Sequence, residues 1–136
     1  SYVIMAGNTN YLGAEFFTDS LRAADIPCPL TVISYVDFDP QGWRAARNFV
    51  KHPDRYGYAV SHLGYLVRPE RFTEEELALY ALPLVTSDPA VQTQIDDWVA
   101  LSGGVRGRAL AMHADHLWDP ARLFAALEAE LSRAGL

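Results

Sequence analysis

The run Leu30 to Val36, Leu-Thr-Val-Ile-Ser-Tyr-Val, is almost continuously apolar and ends in two carboxylates one residue apart, Asp37 and Asp39, followed by Pro40 and Gly42. A strand with apolar residues on both faces must be covered on both faces, which is the situation of a central strand in a parallel sheet. Parallel neighbours in turn require crossover connections, usually helices. The rest of the sequence can supply them.

Tyr2 to Ala6 reads as a short buried strand, Gly7 to Asn10 as a loop, and Leu12 to Ala24 as an amphipathic helix with Phe16, Phe17 and Leu21 toward one face. Ile26-Pro27-Cys28-Pro29 breaks that helix and leads into the central strand. Asp39-Pro40 opens a second helix, with Pro at its first turn and Trp43, Ala46, Phe49 and Val50 as the inward face. A short polar loop, Pro53 to Tyr56, precedes a third strand over Tyr58 to Val67, in which Gly64 marks a bulge or a point of close packing.

The second half is mainly helical in pattern. Thr73 followed by Glu74, Glu75 and Glu76 is a capping-box start for a helix to about Leu82, and the acidic run reads as a solvated helix start rather than a ligand cluster. Ser87-Asp88-Pro89 begins a helix through Leu101 that Gly103-Gly104 stops. Between Val105 and Trp118 the spacing fits a helix and a strand equally. Pro120 to Ala134 is an amphipathic helix with Leu123, Phe124, Leu127 and Leu131 inward. The expected fold class is therefore α/β: a mainly parallel central sheet flanked by helices, with a helical C-terminal part.

Composition narrows the function. At 136 residues and half apolar, the chain suits one globular domain, 1–136. No apolar stretch approaches the roughly 20 residues of a membrane span and no signal-type segment opens the sequence, so a cytoplasmic protein is expected. Cys28 is the sole cysteine and reads as a loop residue; it excludes an intrachain disulfide and a Cys-rich metal site. The net charge of −6 argues against indiscriminate binding to nucleic acid, so any DNA contact has to be local, metal-bridged or supplied by another part of an assembly. No nucleophile elbow, Walker loop or dinucleotide fingerprint is present.

The chemistry-bearing candidates are few. In an extended strand Asp37 and Asp39 would point the same way, roughly 6 to 7 Å apart, with Phe38 turned inward between them. Such a pair can hold Mg²⁺ through hard oxygen donors, although Asp-Pro is also what an ordinary strand-to-helix turn uses. Ligands of open α/β sheets collect outside the carboxyl ends of the strands, where Gly7 to Asn10 and the two aspartates are expected. His113, Asp115 and His116 form the densest His/carboxylate group and read as structural for want of a third clear ligand. His52 and His62 are isolated, and Trp98 and Trp118 read as core or interface anchors.

Ala6-Gly7-Asn8 with the following helix, Ile26-Pro27, and above all Val36-Asp37-Phe38-Asp39-Pro40-Gln41-Gly42 resemble the Toprim domain of the topoisomerase VI A subunit and the meiotic double-strand-break protein. Leu63-Gly64 and Val85-Thr86-Ser87-Asp88 extend the likeness more loosely. The resemblance implies a Toprim-like fold with Asp37 and Asp39 as Mg²⁺ ligands, used in cleavage or rejoining of the DNA backbone. It also implies a homodimer and an ATPase-type partner subunit.

This sequence departs from the family in showing neither the glutamate strand nor the tyrosine-bearing winged helix that precede the domain. Glu15 does not match the glutamate's position and reads as a helix-surface residue. The start at Ser1 suits a piece of a longer chain or a reduced stand-alone domain. Three functions follow as expectations: a Mg²⁺-dependent DNA-cleaving or rejoining domain, a non-catalytic Toprim-like assembly module, and a small Mg²⁺-dependent phosphohydrolase.

Overall fold

The computed structural model of the chain describes residues 2–6, 19, 21–25, 29–55 and 59–135, with the side chains of 2–6 and 52–55 left aside. The loop 7–10, most of the helix expected over 12–24, Glu15 and Cys28 lie outside the described residues. The fold is mixed α/β. Strands β1 (Tyr2–Ala6), β2 (Leu30–Tyr35) and β3 (Val60–Tyr65) form a parallel sheet in the order β1-β2-β3. The apolar run is therefore the middle strand, and Leu30 to Ser34 are all buried, as two covered faces require.

Helix α1 (Pro40–Arg55) makes the crossover from β2 to β3, burying Trp43, Ala46 and Phe49. It runs through Pro53, where a loop is expected from the sequence. In the last turn, the missing N–H removes a single ladder bond near an end that is already leaving the helix. The ladder between β2 and β3 is irregular at Ser61, which lies between the partners of Leu30 and Thr31, and Ser61 Oγ donates to the Leu30 carbonyl at 3.1 Å. Gly64 is instead the close-packing point. A Cβ there would stand 2.9 Å from Ile33 Cδ1 and 3.1 Å from Glu130 Oε2.

The second half contains helices α2 (Glu74–Tyr80), α3 (Pro89–Ser102) and α4 (Pro120–Arg133), and a short antiparallel pair of strands, β4 (Leu82–Pro83) and β5 (Leu110–Ala111). The ambiguous stretch is thus a strand followed by a 3₁₀ turn over Ala114–His116. The capping box on α2 is present, with Glu76 accepting from Thr73 N and Thr73 Oγ1 from Glu76 N. Asp88 caps α3, and Gly103, in the left-handed region at φ 86°, ends it.

Phe124, expected inward, points outward, and Trp118, read as a core or interface anchor, lies outside the core. Trp118 is 73% exposed and Phe124 61%, while Ala126 and Glu130 are the buried positions of α4. Trp98 belongs to the core. Glu130 is fully buried because Arg68 Nε and Arg71 Nη2 donate to its Oε1 at 2.6 and 2.9 Å. No helix among the described residues is long and apolar enough to cross a membrane.

Replacing Gly64 by Ala is expected to lower stability by about 1–3 kcal/mol in urea denaturation, because the new methyl overpacks Ile33 and Glu130. Glu76 provides a pH test. Its bidentate hydrogen bonds from Arg122, at 2.8 Å each, and its cap bonds with Thr73 hold its carboxyl down to about 2. A lowered folded value stabilises above the unfolded value of about 4.3 and loses that contribution as pH falls toward 2. The urea midpoint should accordingly fall across that interval by more in the wild type than in Glu76→Gln.

Candidate functional site

The strand ends at Tyr35, and the Asp-x-Asp lies in a turn rather than in extended backbone. Asp39 N donates to the Asp37 carbonyl at 3.0 Å, which closes a three-residue turn around Phe38. Phe38 is fully buried, edge-on to Trp98 with ring centroids 4.7 Å apart and to Trp43 at 5.8 Å. Its backbone exchanges both hydrogen bonds with Met112, at 2.9 and 3.1 Å. Phe38 is thus inward, as the sequence suggests, and its burial leaves Asp37 and Asp39 half-buried on either side of it.

Each aspartate has a structural duty. Asp39 Oδ1 accepts from Gly42 N at 2.6 Å and caps α1, with Pro40 as the first helical residue. Gly42 is required there, since a Cβ would collide with the Asp37 carbonyl oxygen. Asp37 Oδ1 accepts from Ala114 N at 2.7 Å and so ties the end of β2 to the turn that follows β5. The last residues of the motif therefore have a local reason for their order: a carboxylate cap, a proline at the first turn and a glycine where the chain passes closest.

The tie to Ala114 brings the His/carboxylate group to the same edge. His113 Nδ1 lies 3.5 Å from Asp37 Oδ2, with side chains 55% and 40% exposed. His116 turns away and stacks on Tyr80, with ring centroids 4.0 Å apart and planes 14° from parallel. The two imidazoles are 6.4 Å apart, and among the described residues no group of three or more His, Cys, Asp or Glu could hold a metal ion. Tyr35 closes the floor: its hydroxyl donates toward the carbonyls of Ala114, at 2.7 Å, and Leu117, at 3.0 Å. Burial pushes its phenol pKa up, and the nearby Asp115 and Asp37 charges add to the rise.

On the other side of Asp39, a cleft of about 390 Å³ opens between the start of α1, the segment after β4 and α3. Leu84, Val85 and Ile95 form apolar wall, and Gln41, Arg44 and Gln94 bring polar groups to it. Tyr35, Tyr80 and Arg44 are site residues that pattern reading missed. Periodicity signals Tyr35 as strand interior and Tyr80 as helix end, and only contacts across the chain show Tyr35 near Asp37 and Tyr80 against His116.

Substituting Asp39 by Ala removes the cap of α1 and is expected to cost about 0.5–2 kcal/mol, whereas Asp39→Asn keeps an acceptor and should change stability by only a few tenths. Paired urea melts of the two variants check this. They also identify the substitution that removes charge from the site without disturbing its helix.

Comparison of the chain with protein-family models, with curated proteins and with solved structures finds no match.

Proposed function

We propose that the chain is a Toprim-like domain that binds Mg²⁺ through Asp37 and Asp39 and serves cleavage or rejoining of the DNA backbone in a protein of the topoisomerase VI A type. In this reading other domains or subunits supply the attacking group, and a homodimer and an ATPase-type partner complete the assembly. The observation that supports it is the presentation of two accessible carboxylates at the carboxyl edge of the middle strand of a parallel sheet, the position at which such sheets collect ligands.

The donor set suits Mg²⁺ better than a transition metal. Zn²⁺ sites ordinarily take three or four protein ligands including His or Cys, whereas Mg²⁺ is commonly held by one or two carboxylates, with water and substrate phosphate filling its shell. Such an ion would supply positive charge to the oxygens of a scissile phosphate. The chain's own part is to orient the carboxylates: Ala114 N holds Oδ1 of Asp37, and the α1 cap holds Oδ1 of Asp39.

A second reading has its own support. The cap and the Ala114 bond give both aspartates a purely structural use, which favours a non-catalytic assembly module.

A Mg²⁺ titration followed by amide NMR shifts separates the two. Saturable shifts centred on residues 36–42 and 113–114, abolished in Asp37→Asn with Asp39→Asn while the fold persists, are expected for the metal site. Silence at millimolar Mg²⁺ and Mn²⁺ would leave the assembly module as the function.

A further inference from the structure

Arg44, Arg47 and Lys51 form a row on the exposed face of α1, opposite the buried Ala46 and Phe49. Their spacing of i, i+3 and i+7 places them within about 60° of one another around the helix. None has a carboxylate within ion-pair distance among the described residues. That is unusual for this chain: Arg68, Arg71, Arg106, Arg122 and Arg133 are each paired with a glutamate. In a protein of net charge −6, three adjacent cations with no carboxylate partner among the described residues are a local reversal of sign.

The row does not stand alone. Arg44 is both its first member and part of the lining of the cleft beside Asp39. At about 390 Å³ that cleft is within the size range of small-molecule sites, roughly 300–1,000 Å³, and large enough for one nucleotide. Its Leu84, Val85 and Ile95 wall suits the face of a base, and the Gln41 and Gln94 amides can both donate and accept at a base or sugar edge. From Arg44 to Lys51 the row covers about 10 Å of helix, the axial length of about three nucleotides at 3.4 Å each.

We propose that α1 and this cleft are the track for one single strand of nucleic acid, with a nucleotide seated against Leu84 and Ile95 and the neighbouring phosphates on Arg44, Arg47 and Lys51. The inference rests on the functional reading above and gives it a strand path and a polarity of contact: base in the cleft, backbone along the helix. Asp39 at the cleft edge opposes a phosphate unless a cation intervenes. Mg²⁺ should therefore strengthen binding that the row already provides.

The test is fluorescence anisotropy of a labelled oligo-dT, with the whole chain, in EDTA and in Mg²⁺, from about 50 to 200 mM salt. Three phosphate contacts on a single strand give an expected slope of log affinity on log salt near −2, at about −0.7 per contact. Arg44→Ala, Arg47→Ala and Lys51→Ala should each weaken binding and flatten the slope by about 0.7, with Arg44→Lys retaining it. Gln94→Trp, which fills the cleft, should weaken binding at unchanged slope, and Arg133→Ala, an exposed arginine on α4 that pairs with Glu70, should change neither.

Wild-type binding by all three alanine variants overturns the track. So does equal competition by polyglutamate, which would assign the row to an acidic protein partner. Failure of the metal reading looks different: binding in EDTA persists and depends on the row, and Mg²⁺ adds nothing to it in the wild type or in Asp37→Asn with Asp39→Asn.

Discussion

Phe38 has no exposed surface, its ring meets Trp98 and Trp43 edge-on, and its backbone is paired on both bonds with Met112. Burying a phenylalanine fully is worth about 1.5–3 kcal/mol, more than the cap at Asp39 or a half-exposed His–Asp contact contributes. The ring therefore decides where the chain goes after β2, and the polar groups follow. The turn around Phe38 aims α1 back across the sheet. Its pairing with Met112 brings the segment from Leu110 to Leu117 to the same edge, which is how residues some eighty positions apart in sequence come to share a site.

Charge is distributed around this frame with a consistent logic. Glu130 is buried against the sheet, and its Oε1 accepts from the guanidinium groups of both Arg68 and Arg71, the pairing that a buried charge calls for. A buried ion pair of this kind adds little net stability, because desolvation offsets its Coulomb energy, but removing either partner leaves an uncompensated charge. The absence of a side chain at Gly64 makes room for this carboxylate, since a Cβ there would stand 3.1 Å from Glu130 Oε2. Arg122 joins α2 to α4 in the same way through Glu76. These glutamates already have arginine partners, and among the described residues no carboxylate pairs with the basic row on α1.

Much of this was legible in the sequence where one local rule dominated. The almost continuously apolar run of β2, the Thr73 box, the Asp88 cap and the stop at Gly103 each follow from neighbours within a few residues, and the structure agrees with them. The failures are non-local. Phe124 fits the inward stripe of α4 by spacing, but the position that faces the sheet is Glu130, which becomes inward only because two arginines from another segment meet it. Val105 to Trp118 fits two periods because it is two things in succession, a strand paired with Leu82–Pro83 and Phe38, then a 3₁₀ turn. The Asp-x-Asp was visible as a motif, but its geometry was not. The assumption of extended backbone failed because Asp39 N turns back to the Asp37 carbonyl, which folds the motif around Phe38.

The turn also bears on why the motif carries two charges. A structural turn needs one acceptor at Asp37 for Ala114 N and one at Asp39 for Gly42 N, duties that an asparagine at either position can perform. Two carboxylates in one short turn repel each other. The N-terminus of α1 favours negative charge at Asp39, but Asp37 lies before the cap, and among the described residues its nearest basic group is His113 at 3.5 Å. A hydrogen bond to one oxygen of a carboxylate also fixes the direction of the other, which is how metal-ligating carboxylates are commonly held. With Oδ2 of Asp37 on a half-exposed side chain at the edge of the sheet rather than in the core, packing alone does not call for the second charge.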